Sequence, residues 1–123
     1  DKVLDTLYEA YQKPRAIYFV IELDGQIIGG GGIAKLDNCD ENICELQKMY
    51  FLEEARGLGL GIKMMTLCIE KAKDFMFKDC YLETMIYMKA AQKLYLKNDF
   101  EYIDGPMGNT GHYSCPVHML KEL

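Results

Sequence analysis

Residues 55–75, ARGLGLGIKMMTLCIEKAKDF, set glycines at 57, 59 and 61 and then run without a break into apolar residues at helical spacing. Glycine in or beside a helix is costly, by roughly 0.5–1 kcal/mol relative to alanine, so three in a row of alternate positions imply a need for bare backbone. Downstream, Leu60, Met64, Leu67, Cys68, Ala72, Phe75 and Met76 recur every three or four residues, which predicts a helix from Gly59 to about Phe77. Upstream, ICELQKMYFLEE (residues 43–54) alternates well enough to predict a strand that leads into the glycines.

In the order strand, glycine loop, helix, bare backbone has a definite use. Glycines let a polyanion approach main-chain N–H groups, and the helix N-terminus adds unsatisfied donors and partial positive charge. No carboxylate lies between Gly57 and Met65, and Arg56 and Lys63 flank the loop, which suits a diphosphate. The competing use is tight packing of a strand-to-helix turn. Gly61 is followed by Ile62 and Lys63 rather than Lys-Ser/Thr, against a Walker-type site, and neither register of the glycines completes G-x-G-x-x-G, against a dinucleotide fingerprint.

Working outward, 123 residues that are 50% hydrophobic suffice for one domain with a core and not for two. A net charge of −5 gives no basic face for phosphate neutralisation, so a nucleic-acid role is not expected. No run of eighteen apolar residues and no basic-then-apolar leader is present, so neither a membrane span nor a signal peptide is expected, and the expected location is cytoplasmic. Five scattered cysteines without a CxxC pair fit a reducing compartment and argue against a disulfide framework or a structural zinc; no functional metal is expected.

The remaining segments fill in the architecture. DKVLDTLYEAYQ carries Val3, Leu4, Leu7, Tyr8 and Tyr11 at helical spacing and predicts a helix ended by Pro14. Two β-rich runs joined by Asp24-Gly25 predict a hairpin, with Gly29–Gly32 inside the second strand marking a bulge, a close backbone approach or mere irregularity. DCYLETMIY predicts a strand, KAAQKLYLKNDF a helix with Ala90, Ala91, Leu94 and Tyr95 on one side, and the tail two strands joined by a glycine-rich loop. Two successive strand–helix units imply neighbouring strands whose carboxyl ends face the same way.

These residues reach a known pattern. CELQKMYFLEEARGLGLGIKMM resembles motif A of the GNAT superfamily of N-acetyltransferases, Arg/Gln-x-x-Gly-x-Gly/Ala, met by Arg56, Gly59 and Gly61. KAAQKLYLKNDF resembles the family's second signature, Ala-x-x-Leu-Tyr-x-Lys-x-Gly-Phe, with Met88 where an asparagine commonly opens it and Asp99 in place of its glycine. The resemblance covers about residues 16 to 123. It implies a mixed α/β (α+β) fold with a central, mostly antiparallel sheet, a splayed parallel strand pair at the cofactor site and helices on both faces. It also implies a single N-acetyltransferase domain over residues 1–123 without the family's first strand and helix.

By resemblance the cosubstrate is acetyl-CoA, with its pyrophosphate on N–H groups of Gly57, Leu58, Gly59, Leu60, Gly61 and Ile62 beside Arg56. The pantetheine arm is expected along Met49, Tyr50 and Phe51, with a main-chain N–H near Phe51 polarising the thioester carbonyl. The acceptor is expected to be a primary amine, on a small molecule or a protein, attacking directly in a ternary complex. A lysine-like amine of pKa about 10.4 is neutral in roughly one molecule in two thousand at neutral pH, so a proton acceptor is expected.

Two carboxylates are candidates for that acceptor. Glu45, six residues before Phe51 and so on the same face of a regular strand, is favoured over Glu83 on the next strand. Either could instead be a structural carboxylate. Tyr95 matches the family's tyrosine acid that protonates the leaving thiolate, against a packing role on an apolar helix face.

Lys63, Lys93 and Lys97 read as 3′-phosphate partners or ordinary surface charges. A Cys115–His112 or Cys115–His118 pair is awkward on a regular strand, so these residues are expected to pack or to line the acceptor pocket, which the loops around Asn38 and 105–111 would shape. The rival to the enzyme is a catalytically silent acyl-CoA-binding regulatory module; another acyl donor is a third reading. A monomer or a homodimer is expected.

Overall fold

A computed structural model describes residues 7–108 and 115–123, with backbone alone for 7–13. In chain order the elements are β1 (Leu7–Lys13), β2 (Ala16–Leu23), β3 (Gln26–Lys35), β4 (Ile43–Phe51), a 3₁₀ turn (Glu53–Ala55), α1 (Leu60–Asp74), β5 (Asp79–Thr84), α2 (Lys89–Lys97), β6 (Glu101–Ile103) and β7 (Val117–Glu122). The strands form one seven-stranded sheet in the order β1-β2-β3-β4-β5-β7-β6. All neighbours are antiparallel except β4 and β5. This is the mixed α/β sheet with one parallel pair that the sequence led us to expect.

The helix expected in the first twelve residues is corrected by strand β1; Val3 and Leu4 lie outside the described residues. Residues 7–13 pair antiparallel with β2 from Leu7↔Ile21 to Lys13↔Ala16, through a turn at Pro14 and Arg15, the latter at φ 58°. An irregularity between Glu9 and Tyr11 offsets the strand's alternation, leaving apolar residues at 7, 8 and 11 that mimic a helical period. Pairing with β2 satisfies the backbone and overrides the local pattern.

The Asp24-Gly25 hairpin forms as expected, both residues at positive φ (50° and 81°) between paired Leu23 and Gln26, the geometry of a primed turn. The glycine run in β3 answers to close approach as well as to bulging. A Cβ on Gly32 would lie 2.3 Å from the Ile17 carbonyl oxygen, and one on Gly31 would meet Met64 of α1 at 3.1 Å. β3 therefore lies against β2 on one side and under α1 on a face where no side chain fits.

One face of the sheet carries the core. Ile17, Phe19, Ile21, Ile33, Cys44, Leu46, Cys80, Leu82 and Met119 join Leu60, Met64, Met65, Cys68 and Ala72 of α1 and Tyr95 of α2 in one buried cluster. Gly61 of α1 sits against Leu94 of α2, where an added Cβ would be 3.2 Å from Leu94 Cδ2. Both described helices thus sit side by side, and the expectation of helices on both faces is seen on one face alone among the described residues. Met65 belongs to the buried stripe of α1, whereas Met76, expected in it, is 78% exposed beyond the helix end at φ 68°. Asp99, which replaces the glycine of the second signature, itself adopts φ 68°.

The site is opened by β4 and β5. They pair only at Ile43↔Asp79, Cys44↔Cys80 and Glu45↔Tyr81, while β4 continues to Phe51 and β5 to Thr84, so beyond Glu45 the parallel strands diverge. No described helix is long and apolar enough to cross a membrane.

Candidate active site

The glycine loop meets the N-terminus of α1 as its spacing predicts. Gly57 and Gly59 take φ 77° and 72°, Gly59 is the N-cap, and a Cβ on either would point into open space. Their conformation, rather than crowding, is what calls for glycine. No acidic residue stands in the first turn of α1, and no side chain caps it, so its N–H groups remain available to an anion. Leu58 and Ile62 project from this loop 47% and 56% exposed.

Beside the loop lies a cavity of about 420 Å³ lined by Met49, Tyr50, Phe51, Arg56, Gly61, Met88, Ala90, Ala91, Leu94 and Tyr95. Six of these are the residues the sequence assigned to the cofactor or the acid: Met49, Tyr50, Phe51, Arg56, Gly61 and Tyr95. The Leu52 N–H bonds the Ile28 carbonyl of β3 at 2.8 Å, so by strand alternation the N–H of Phe51 points the other way, into the gap left by β5.

A second cavity, about 210 Å³, continues through the gap between the strands and is lined by Leu46, Lys48, Met49, Leu82, Glu83, Thr84, Met85, Met88, Tyr95 and Cys115. Met49, Met88 and Tyr95 line both. Tyr95, 8% exposed, keeps its phenolic proton: burial first, then the neighbouring Cys68, push its pKa up to about 12.

The two candidate carboxylates part company here. Glu83 lines the second cavity with Tyr95, whereas Glu45, 4% exposed, lines neither cavity and accepts a hydrogen bond from Gln47 Nε2 at 2.9 Å. The premise that Glu45 shares a face with Phe51 is corrected. Gly30 pairs with Tyr50 and Gly32 with Gln47, so Lys48 and Met49 together oppose Gly31. This bulge, with Lys48 at φ 50° and its carbonyl held by the Tyr18 hydroxyl at 2.8 Å, reverses the parity of everything beyond it. Glu45 lies on the face of Tyr81, and Phe51 on the opposite face.

Sequence reasoning missed Tyr81. Its hydroxyl donates to Glu83 Oε2, lies 3.0 Å from His118 Nδ1 and accepts from the Met107 N–H at 3.2 Å. His118 stands across from Glu83 in the β5–β7 register, with Nδ1 3.6 Å from Oε2. Cys115 precedes β7 rather than continuing it, so the strand-parity argument against a Cys115–His118 pair does not apply, and burial pushes its thiol pKa up. His112 lies outside the described residues. The loops expected to shape the acceptor pocket do meet, since a Cβ on Gly108 would fall 2.3 Å from the Asp37 carbonyl oxygen. Among the described residues no group of three His, Cys, Asp or Glu could hold a metal ion.

The sequence matches the Acetyltransferase (GNAT) family over residues 1–100. It is 49% identical over 123 residues to a protein of Escherichia coli (strain K12) named "Uncharacterized N-acetyltransferase YjgM", covering all of this chain and 74% of that one. Its fold is similar to that of a GNAT-family acetyltransferase from Staphylococcus aureus Mu50, with a TM-score of 0.79 at 24% identity over 89% of this chain and 69% of the other. It is also similar to a GNAT-family acetyltransferase from Elizabethkingia anophelis with acetyl-CoA bound, with a TM-score of 0.67 at 20% identity over 89% of this chain and 77% of the other.

Proposed function

This chain belongs to the GNAT acetyltransferase family, and on that premise we propose that it moves the acetyl group of acetyl-CoA to a primary amine by direct attack in a ternary complex. The observation that carries this reading is the lining shared by the two cavities. Met49, Met88 and Tyr95 border both, so a thioester reaching down the first from the glycine loop would meet an amine entering the second.

The chain's own groups supply each step. N–H groups of Gly57 to Ile62 hold the pyrophosphate, and the Phe51 N–H aims at the charge that develops on the thioester oxygen. Freeing a lysine-like amine of its proton at neutral pH costs about 4–5 kcal/mol, and Glu83, facing the second cavity, is the group that takes it. The neutral amine then attacks the carbonyl carbon; the C–N bond forms, the C–S bond breaks, Tyr95 gives its proton to the departing sulfur, and the proton that the new amide nitrogen sheds restores the Tyr95 phenol by way of solvent. A phenol at about 12 facing a thiolate at an ordinary 8.5 is uphill by about 5 kcal/mol, so the same dry cavity has to raise the thiolate as well.

The acceptor belongs to the class of small-molecule or protein amines, and residues 1–123 act as one N-acetyltransferase domain. Calorimetry with acetyl-CoA and with free CoA tests the reading on the parent, Ile62→Glu and Ile62→Gln. Position 62 is exposed in the first turn of α1, where a carboxylate favours the helix, so Ile62→Glu folds and yet repels a pyrophosphate. The expected result is binding to the parent, at least about tenfold weaker binding to Ile62→Glu, and a change under about threefold for Ile62→Gln. Thiol release against an amine panel follows. A parent that binds neither ligand ends the reading, and one that binds but releases no thiol with any amine is instead a silent acyl-CoA-binding module.

A further inference from the structure

The acceptor side contains a buried residue to which nothing above assigns a task. We propose that Tyr81 is its positioning residue: one hydroxyl fixes the Glu83 carboxylate, the tautomer of His118 and the backbone at Met107, so that the proton acceptor and the segment after β6 are set together. The proposal rests on the reading of Glu83 as the base.

The valence of the hydroxyl decides which partner donates and which accepts. A phenol has a single proton and two acceptor lone pairs. Tyr81, 0% exposed, meets three polar partners: Glu83 Oε2, His118 Nδ1 at 3.0 Å and the Met107 N–H at 3.2 Å. The Met107 N–H can only donate and takes one lone pair. An ionised carboxylate can only accept, so it takes the single proton. The second lone pair is left for His118, which must therefore donate from Nδ1; in a neutral imidazole that makes Nε2 the unprotonated nitrogen.

The sheet brings these groups together. Tyr81 and Glu83 are two apart on β5 and so share a face, and His118 is in register with Glu83 on β7. The third tie is to Met107 in the segment after β6, where Gly108, at φ 59°, seats the backbone against Asp37. A change in the charge of Glu83 thus reaches that segment through one oxygen. The other titratable groups facing this region are Glu45 and Lys48 from β4, Cys115 before β7, and Tyr95 from α2. Burial, then the Glu83 bond, hold the Tyr81 phenol in its protonated form, so the donor is present throughout the working range.

Tyr81→Phe keeps the ring and removes the node. Without that donor the ionised carboxylate of Glu83 loses a hydrogen bond that favours it, so the acidic limb of kcat/KM for the amine moves to higher pH. The expected accompaniments are a fall in kcat/KM of roughly 10- to 100-fold at neutral pH and an acetyl-CoA Kd within about twofold of the parent. Nitrogen-15 NMR of the imidazoles, with His112→Gln to assign them, should find His118 as the Nδ1–H tautomer in the parent and not in Tyr81→Phe. A Tyr81 that only fills space would lower stability and move neither the limb nor the tautomer. An Nε2–H tautomer in the parent, or an unmoved limb in folded Tyr81→Phe, overturns the proposal. If the parent acetylates no amine, the functional reading fails separately and the tautomer alone decides; it also decides, from the parent, should Tyr81→Phe not fold.

Discussion

The proposed cofactor half of the site is made of backbone and the proposed acceptor half of side chains. In the first, Gly57, Gly59 and the opening turn of α1 present N–H groups, and the side chains of Leu58 and Ile62 stand out in solvent. In the second, Glu83 of β5 and Tyr95 of α2 line one cavity, and Tyr81 of β5 and His118 of β7 stand against Glu83. A backbone site is recorded locally, because only certain φ values permit it and glycine reports them. A side-chain site is assembled by topology, and no short stretch of sequence contains it.

The sharpest way to part the halves is Glu83→Gln. It removes the proposed proton acceptor without touching the glycine loop, so kcat should fall by about 10²- to 10⁴-fold while the acetyl-CoA Kd stays within about twofold. Steady-state kinetics beside calorimetry reads both quantities on one preparation. Loss of cofactor binding in step with turnover would mean that the halves are not separable.

A smaller effect, on the other half, is expected from Gly59→Ala. Nothing lies within 4 Å of the added Cβ, so the whole cost is that of φ 72° for a residue with a side chain, about 1–2 kcal/mol. Relaxation of that strain displaces the first N–H groups of α1, and acetyl-CoA should bind about five- to tenfold more weakly. Gly59→Asn, which tolerates the left-handed region better, should recover part of the loss. Equal affinity in all three proteins would show that the cradle is not shaped by the backbone at this position.

What could be read from the chain follows the same division. The Asp24-Gly25 turn, the glycine loop, α1 and α2 were legible because each is decided by neighbours in sequence. The strand at Leu7–Lys13 was not, since its pairing with β2 outweighs an apolar spacing that suits a helix equally well. Tyr81, His118 and Met107 become partners only when β5, β7 and the segment after β6 are placed, across 26 to 37 positions of sequence. Tyr95 was found because its motif is contiguous, not because its surroundings could be foreseen.

Glu45 is the instructive case between the two, and it carries the smallest predicted effect. Counting by twos along β4 puts it with Phe51 at the reaction centre, and the count fails at Lys48, a bulge formed at a non-glycine residue that leaves no composition signal. Beyond the bulge the strand presents the other face, so Glu45 points toward Tyr81 and Gln47, away from both cavities. Glu45→Gln preserves the volume and can still accept the Gln47 bond. We therefore expect kcat/KM within about threefold of the parent, with any cost appearing in stability at roughly 1 kcal/mol. Kinetics and thermal unfolding of Glu45→Gln and Glu83→Gln, side by side, decide the point: a loss of turnover in Glu45→Gln as deep as in Glu83→Gln would return the proton acceptor to β4 and would mean that the bulge does not govern the chemistry.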